Sequence, residues 1–262
     1  MHIQYAFLDS GVGGMPYFSY FHAQAPTAHA VYIADTLHFP YGEKTTEEII
    51  SYACHLSKKV IAHFHPDVIV IACNTMSVAA LAALRERYPV PFIGTVPAVK
   101  LAAARSVNKR IGIIATERTI HDPYLDKLVT TYAADCTIEK RADTPLVNQI
   151  ENGLALRTAE VQKQAILPAL QQFTQAGVDT LVLACTHFLH ITDIFTRYAA
   201  PRITIVDSRE GVVKQTLKIA PPLAVSEQPS CCYITGALSQ QVDTQYRTLC
   251  KQFHLQWCGV LP

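Results

Sequence analysis

The sequence predicts an α/β fold made of two similar doubly wound domains with pseudo-twofold symmetry and a cleft between them. Three observations carry this prediction. Short aliphatic runs alternate with longer segments of helical period, which implies right-handed crossovers between parallel strands. The runs are hydrophobic throughout rather than at every second position, as in strands covered on both faces. The pattern also occurs twice. The chain has 262 residues, half of them hydrophobic, enough for one large domain or two of about 130 residues.

In order along the chain, YAFLD (5–9), VYIAD (31–35), DVIVIAC (67–73), RIGIIAT (110–116), DTLVLAC (179–185) and RITIVD (202–207) read as strands. Thr45 and Glu48 have capping-box spacing before IISYACHLSKKVIAHF, and TAEVQKQAILPALQQF (158–173) is amphipathic, so both segments read as helices. After residue 208, SREGVVKQTLKI reads as a helix, APPLAVSEQPS as a proline-rich connection and CCYITG as a strand. The expected division is 1–97 plus 208–262 for the first domain and 98–207 for the second.

The repeat is clearest in two segments. PDVIVIACNTMSVAALAAL starts at residue 66 and VDTLVLACTHFLHITDIF at residue 178. Both read Asp, aliphatics, Ala-Cys, Asn-Thr or Thr-His, then a helix. Upstream lies a second matched pair, YAFLDSGVGG (5–14) and RIGIIATERT (110–119). Each half thus carries a cysteine, Cys73 or Cys185, at the carboxyl end of a central strand, where ligands bind in open α/β sheets. The plainer reading of Ala-Cys as a small packing pair fits Cys54 and Cys136, because free cysteine is commonly buried. It does not account for a doubled context.

Bulk composition narrows the partner. Basic and acidic residues number 22 and 21, which argues against a broad nucleic-acid or membrane footprint. The eight cysteines have no CxxC pair, so a structural zinc site is not expected. No secretory signal pattern or bilayer-length apolar run is visible. The expectation is a cytoplasmic protein with free thiols, no metal, and a small-molecule partner.

A thiol at a strand-to-helix turn lies where amides and the helix dipole favour an anion. One thiolate serves as nucleophile or base. Two on opposite sides of a cleft suit two-base racemisation, in which a proton leaves one face of a carbon and returns to the other. Without pyridoxal phosphate, such chemistry needs dense hydrogen bonding to the substrate carboxylate. DSGVGG (9–14) supplies backbone donors after the first strand and matches neither a dinucleotide fingerprint nor a Walker loop. Asn74, Thr75 and Thr186 add side-chain donors beside the thiols, with helix capping as their alternative role. Asp9, at the end of a buried strand, would have a raised pKa if desolvated; its alternative role is forming the turn.

With DSGVGG, PYGEK (40–44), ACNT (72–75) and ACTH (184–187) in this order, the chain resembles the glutamate racemases, within the cofactor-independent aspartate/glutamate racemase group. GTVPAVK (94–100) resembles the stretch that opens the second domain in one branch of them. The resemblance implies that Cys73 takes the proton from the D-enantiomer and Cys185 from the L-enantiomer, assisted by Asp9 and His187 respectively. It places Ser10, Tyr41, Gly42, Asn74, Thr75 and Thr186 on substrate-binding positions, and also gives Asp9 and His187 a share in binding. Without it, Tyr41-Gly42 reads as a β-turn and His187 as a surface residue.

One stretch departs from the family pattern. Many members have Cys-Pro before a Glu-Gly pair, whereas this chain reads RADTPLVNQIENG (141–153), with Asp143 at the cysteine position. Alignment on the glycine puts Glu151 at the assisting acid; its alternative is a solvated helix residue. The start of the first strand close to Met1 argues against activator control through an N-terminal extension. The expected reaction is cofactor-free racemisation of L-glutamate to D-glutamate for peptidoglycan. An aspartate or broader acidic amino-acid racemase, and a silent binding protein of the same fold, remain the alternatives. A homodimer is compatible with this class, although no interface is readable. Cys231 and Cys232 read as packing residues.

Overall fold

A computed structural model describes residues 2–223 and 228–262. The expected connection APPLAVSEQPS lies partly outside the described residues. The chain divides into two compact units, Met1–Thr95 with Arg209–Pro262, and Val96–Ser208.

The first unit holds β1 (Tyr5–Asp9), β2 (Ala30–Ala34), β3 (Val68–Ile71) and β4 (Phe92–Gly94). The second holds β5 (Arg110–Ala115), β6 (Thr137–Ala142), β7 (Thr180–Leu183) and β8 (Thr204–Val206). The chain then adds β9 (Cys231–Ile234) and β10 (Gln256–Val260) to the first unit. The sheets run β10-β9-β2-β1-β3-β4 and β6-β5-β7-β8, with every pairing parallel. The order β2-β1-β3-β4 recurs as β6-β5-β7-β8, so the sequence repeat is a repeat of topology.

Side chains of β1 alternate between two apolar layers. Ala6 and Leu8 face a cluster containing Ile49, Val60 and Phe64 of the Thr46–Phe64 helix and Met76 and Leu84 of the Asn74–Arg87 helix. Tyr5 and Phe7 pack instead on Phe18 and Phe21 of the Met15–Gln24 helix. Helices thus cover both faces, which is why these strands carry no alternation of apolar and polar residues. In the second unit Ile111, Ile113 and Val182 pack on Val99 and Ala102 of the Val99–Arg105 helix. On the other face a Cβ at Gly112 would come within 2.7 Å of the Phe173 ring, so glycine permits the close seating of the Ala159–Gln175 helix that carries Phe173.

The expected capping box is present: Glu48 N–H donates to Thr45 Oγ1 at 3.2 Å, and Thr45 N–H to Glu48 Oε2 at 2.8 Å. The amphipathic segment at 158 forms a helix over Ala159–Gln175, and the one after 208 a helix over Arg209–Ile219. Several expected strands are trimmed at their ends. Asp67 and Asp179 precede their strands, and Ala72-Cys73 and Ala184-Cys185 follow theirs, because the chain is already turning toward the next helix. Three strands lacked a sequence signal. β4 is only three residues long, while β6 and β10 are edge strands of largely polar or half-buried residues.

Cys231 and Cys232 pack on β9, Cys232 being fully buried. Burial pushes the Cys231 thiol up to about 12 and holds Cys232 well above the ordinary thiol range, so both stay protonated.

Candidate active site

In the first unit the site grows from the carboxyl ends of β1 and β3. Asp9, the last residue of β1, is fully buried. Its Oδ1 accepts the Gly11 N–H and the Ser10 hydroxyl, each at 3.1 Å. A Cβ at Gly14 would stand 2.7 Å from Ala72 Cβ and 2.9 Å from Asp9 Oδ2, so the DSGVGG turn needs glycine there to lie against both. Tyr32 holds this turn from β2, donating to Gly11 O at 2.7 Å while accepting the Gly14 N–H at 3.1 Å.

Cys73 leaves β3 in an extended conformation and caps the Asn74–Arg87 helix, its Sγ accepting the Met76 N–H at 3.4 Å. That donor and the helix dipole favour a thiolate. Ser10 Oγ lies 3.8 Å from the sulfur and bonds Asp9 on its other side, so one hydroxyl stands between carboxylate and thiol. Asn74 and Thr75 follow in the first helical turn, both buried. Asn74 Oδ1 is buried and has no hydrogen-bond partner among the described residues, a condition a bound donor would relieve.

Tyr41 and Gly42 form a short 3-10 turn, Tyr41–Glu43, rather than a plain β-turn. Tyr41 is 1% exposed, and its hydroxyl donates to Asp35 Oδ2 at 2.5 Å. Burial first, then the charge of Asp35 and the bond to it, with Cys73 and Asp9 adding, hold this phenol far above its ordinary pKa. It remains a proton donor.

The second unit solves the same problem differently. Pairing of β1 with β3 matches Leu8 to Ile71, and pairing of β5 with β7 matches Ile114 to Leu183. Each cysteine therefore stands two residues past the last such match. In the same register Ser10 corresponds to Thr116, whereas Asp9 corresponds to Ala115. Cys185 begins a 3-10 turn, Thr186–Ile191, and caps no amide with its sulfur; the expected helix starts only at Thr192. In place of a helix terminus, Cys185 Sγ has His187 Nδ1 at 3.7 Å, and His187 Nε2 meets Glu151 Oε2 at 2.8 Å.

Glu151 ends the Thr144–Glu151 helix, just before the left-handed Gly153. It is thus neither solvated nor remote from the thiol. His187 is 3% exposed. Burial opposes its charge, but the bonds to Cys185 and Glu151, with the charges of both, outweigh burial and raise its pKa well above the usual value. Asp143 caps the helix that carries Glu151, accepting the Leu146 N–H at 3.2 Å, and its Oδ2 takes Arg141 Nε–H at 2.8 Å. Thr186 is buried beside Cys185.

Two groups escaped the sequence reading. Asp35 is buried and accepts hydrogen bonds from Tyr41 and Thr235. Its signal was available, since VYIAD ends in Asp just as YAFLD does. Thr116 had only its place in the repeat to mark it, and the register with Ser10 became visible through strand pairing. Among the described residues no group of three or more His, Cys, Asp or Glu side chains could hold a metal ion, and no helix is long and apolar enough to cross a membrane.

These features define a class: a two-unit parallel α/β protein in which each unit ends a central strand on a buried thiol with its own acid–base neighbours. Comparison with known proteins narrows it. The Asp/Glu/Hydantoin racemase family model matches residues 18–216. The glutamate racemase of Treponema pallidum (strain Nichols) is 43% identical over 258 residues, covering 98% of this chain and 96% of the relative. That of Actinobacillus pleuropneumoniae serotype 3 is 39% identical, covering 91% and 89%. Among solved structures, Escherichia coli glutamate racemase with L-glutamate and the activator UDP-MurNAc-ala superposes with a TM-score of 0.87 at 26% identity, covering 100% of this chain and 98% of that one. The RacE1 isoform of Bacillus anthracis glutamate racemase gives 0.80 at 28% identity, covering 99% and 97%. This chain belongs to the Asp/Glu/Hydantoin racemase family.

Proposed function

We propose that this chain interconverts L- and D-glutamate by cofactor-free, two-base proton transfer, supplying D-glutamate for peptidoglycan. The observation that carries the reading is the pair of thiols, one from each unit, at the same register position beyond matched strands. Relatives named glutamate racemase match over nearly the whole chain. Binding alone has no need of the second thiol, and a cysteine hydrolase would use one.

In the L-to-D direction, the Cys185 thiolate takes the α-proton and becomes a thiol, leaving the electron pair delocalised into the substrate carboxylate. The Cys73 thiol gives its proton to the other face of Cα and becomes a thiolate. The D-to-L direction runs through the same groups in reverse. Each thiol has a different assistant. His187, held protonated against Glu151, stabilises the Cys185 thiolate; the Met76 N–H and helix terminus serve Cys73, with Asp9 linked through Ser10. The DSGVGG turn at Ser10, with Thr75, Thr186, Tyr41 and Gly42, holds the carboxylates, and the open Asn74 Oδ1 accepts from the substrate ammonium. The eight free cysteines suit a reducing cytoplasm. A homodimer, the assembly expected for the class, is tested by sedimentation of the purified chain.

The deciding experiment incubates the reduced protein with each enantiomer of glutamate, and with L-aspartate, in D₂O without added cofactor. Formation of the opposite glutamate enantiomer with deuterium at Cα is expected. Absence of both exchange and inversion in folded protein overturns the reading, and faster turnover of aspartate reassigns the substrate.

A further inference from the structure

The segment after residue 208 supplies none of the groups given a role above, yet β9 ends beside one that matters. Parallel pairing of β2 with β9 runs to Ala34 opposite Ile234, which brings Thr235 level with Asp35. Thr235 Oγ1 donates to Asp35 Oδ1 at 2.5 Å and accepts the Leu37 N–H at 3.1 Å. Gly236 N–H donates to Thr36 Oγ1 at 2.9 Å. A Cβ at Gly236 would stand 2.8 Å from that oxygen and 3.1 Å from Leu37 N, so the two segments touch here with no room for a side chain. Thr235-Gly236 therefore grips residues 35–37.

The other carboxylate oxygen of Asp35 meets a residue of the candidate site. Oδ2 accepts the Tyr41 hydroxyl at 2.5 Å and has His38 Nδ1 at 2.9 Å. Tyr41 belongs to the same apolar cluster as Cys73 and Met76. A carboxylate held at one oxygen only is free to swing about its Cβ–Cγ bond. With Thr235 fixed on Oδ1 and Tyr41 on Oδ2, the plane of the group is set, and short O–H···O⁻ bonds of this kind are among the stronger ones.

We infer that Thr235 is a positioning residue for the substrate pocket: acting through Asp35, it fixes the Tyr41 hydroxyl and the 35–43 loop so that the backbone N–H groups of Tyr41 and Gly42 meet the substrate carboxylate. The inference rests on the racemase reading for its substrate, but not for the Thr235–Asp35–Tyr41 chain itself. It gives the returning C-terminal strands a part in binding as well as in completing the sheet.

The test compares Thr235→Val, which keeps the shape and removes the hydroxyl, with Thr235→Ser, which restores it. Both are made in the full chain beside Tyr41→Phe and the Tyr41→Phe/Thr235→Val double variant. For both glutamate enantiomers, Thr235→Val is expected to raise KM about tenfold while kcat changes less than about twofold, the pattern of lost uniform binding. Thr235→Ser should return KM to near the wild-type value. In the Tyr41→Phe background Thr235→Val should add less than about twofold, as residues acting through one contact do. An unchanged KM in Thr235→Val, a serine variant that fails to rescue, or effects that multiply in the double variant would each overturn the inference.

A second readout does not depend on turnover. The Tyr41 hydroxyl proton, buried against Asp35, should give a low-field proton resonance assigned by its loss in Tyr41→Phe. It should move in Thr235→Val and return in Thr235→Ser; a resonance unmoved in Thr235→Val overturns the inference. If the wild-type protein turns over neither enantiomer while this resonance responds as expected, the racemase reading fails and the positioning chain stands.

Discussion

Glu151 Oε2 lies 2.8 Å from His187 Nε2, and the opposite ring nitrogen faces Cys185 Sγ at 3.7 Å. One imidazole thus couples a helix-terminal carboxylate to a strand-terminal thiol, and its pKa is raised well above the ordinary value by those two partners. A folded pKa above the unfolded value of about 6.5 means that His187 protonation contributes stability that is fully present below about pH 6.5 and is lost as pH rises through the folded pKa. Glu151→Gln should lower the His187 pKa and weaken this dependence. NMR titration of the His187 ring and thermal melts across pH 6 to 9 check both; an unmoved ring titration would remove Glu151 as its partner.

Cys73→Ala and Cys185→Ala should each abolish net racemisation. Loss of a general acid or base costs about 10²–10⁴-fold, and in this reading Asp9 and His187 act on the thiols rather than on Cα. Chiral chromatography of product from each enantiomer measures it. Turnover surviving in either variant would show that one thiol suffices.

Gly14→Ala should destabilise the first unit by about 1–3 kcal/mol, the usual range for overpacking, because the new methyl meets Ala72 and the Asp9 carboxylate at under 3 Å. It should also depress activity, since relief of the clash moves Asp9 away from Ser10. Urea unfolding gives the first quantity and initial rates the second; a variant as stable and as active as the parent would refute the packing.

Asp179 tests the opposite end of the second unit. It accepts Ser106 Oγ–H at 2.6 Å and the N–H groups of Val107 and Asn108 at 2.7 Å each, at the amino end of β7. Burial pushes its pKa up, but the Asn108, Ser106, Thr180 and Val107 hydrogen bonds outweigh burial and hold it below the ordinary carboxylate range. Its contribution is present above the unfolded value of about 3.9 and lost as pH falls through the lower folded value. Asp179→Asn should cost about 1–3 kcal/mol at pH 7, less near pH 3, with kcat retained because the thiol sits at the other end of the strand. Urea midpoints at the two pH values, with rates at pH 7, decide it.

The two Ala-Cys segments, the capping box at Thr45 and Glu48, and the DSGVGG turn could all be read directly from sequence. Each depends on a local rule: apolar runs make buried strands, an oxygen before a helix satisfies its first amides, and glycine admits close approach. The short β4 and the polar edge strands β6 and β10 could not, because their place is set by pairing with a neighbour rather than by their own hydrophobicity. Glu151 was placed only by a glycine alignment in a departing stretch, and geometry brought it to His187.

The sequence by itself determined that the chain is a doubled α/β protein with a thiol after each central strand, since those features repeat in the order of residues. Only the tertiary structure decided how each thiol is served: Cys73 by a helix terminus and the Ser10–Asp9 pair, Cys185 by His187 and Glu151. It also decided that Thr235 reaches Asp35 across 200 residues of chain. Hydrogen bonds and burial between such distant residues follow from how the strands are ordered in the sheet, and no local pattern encodes that order.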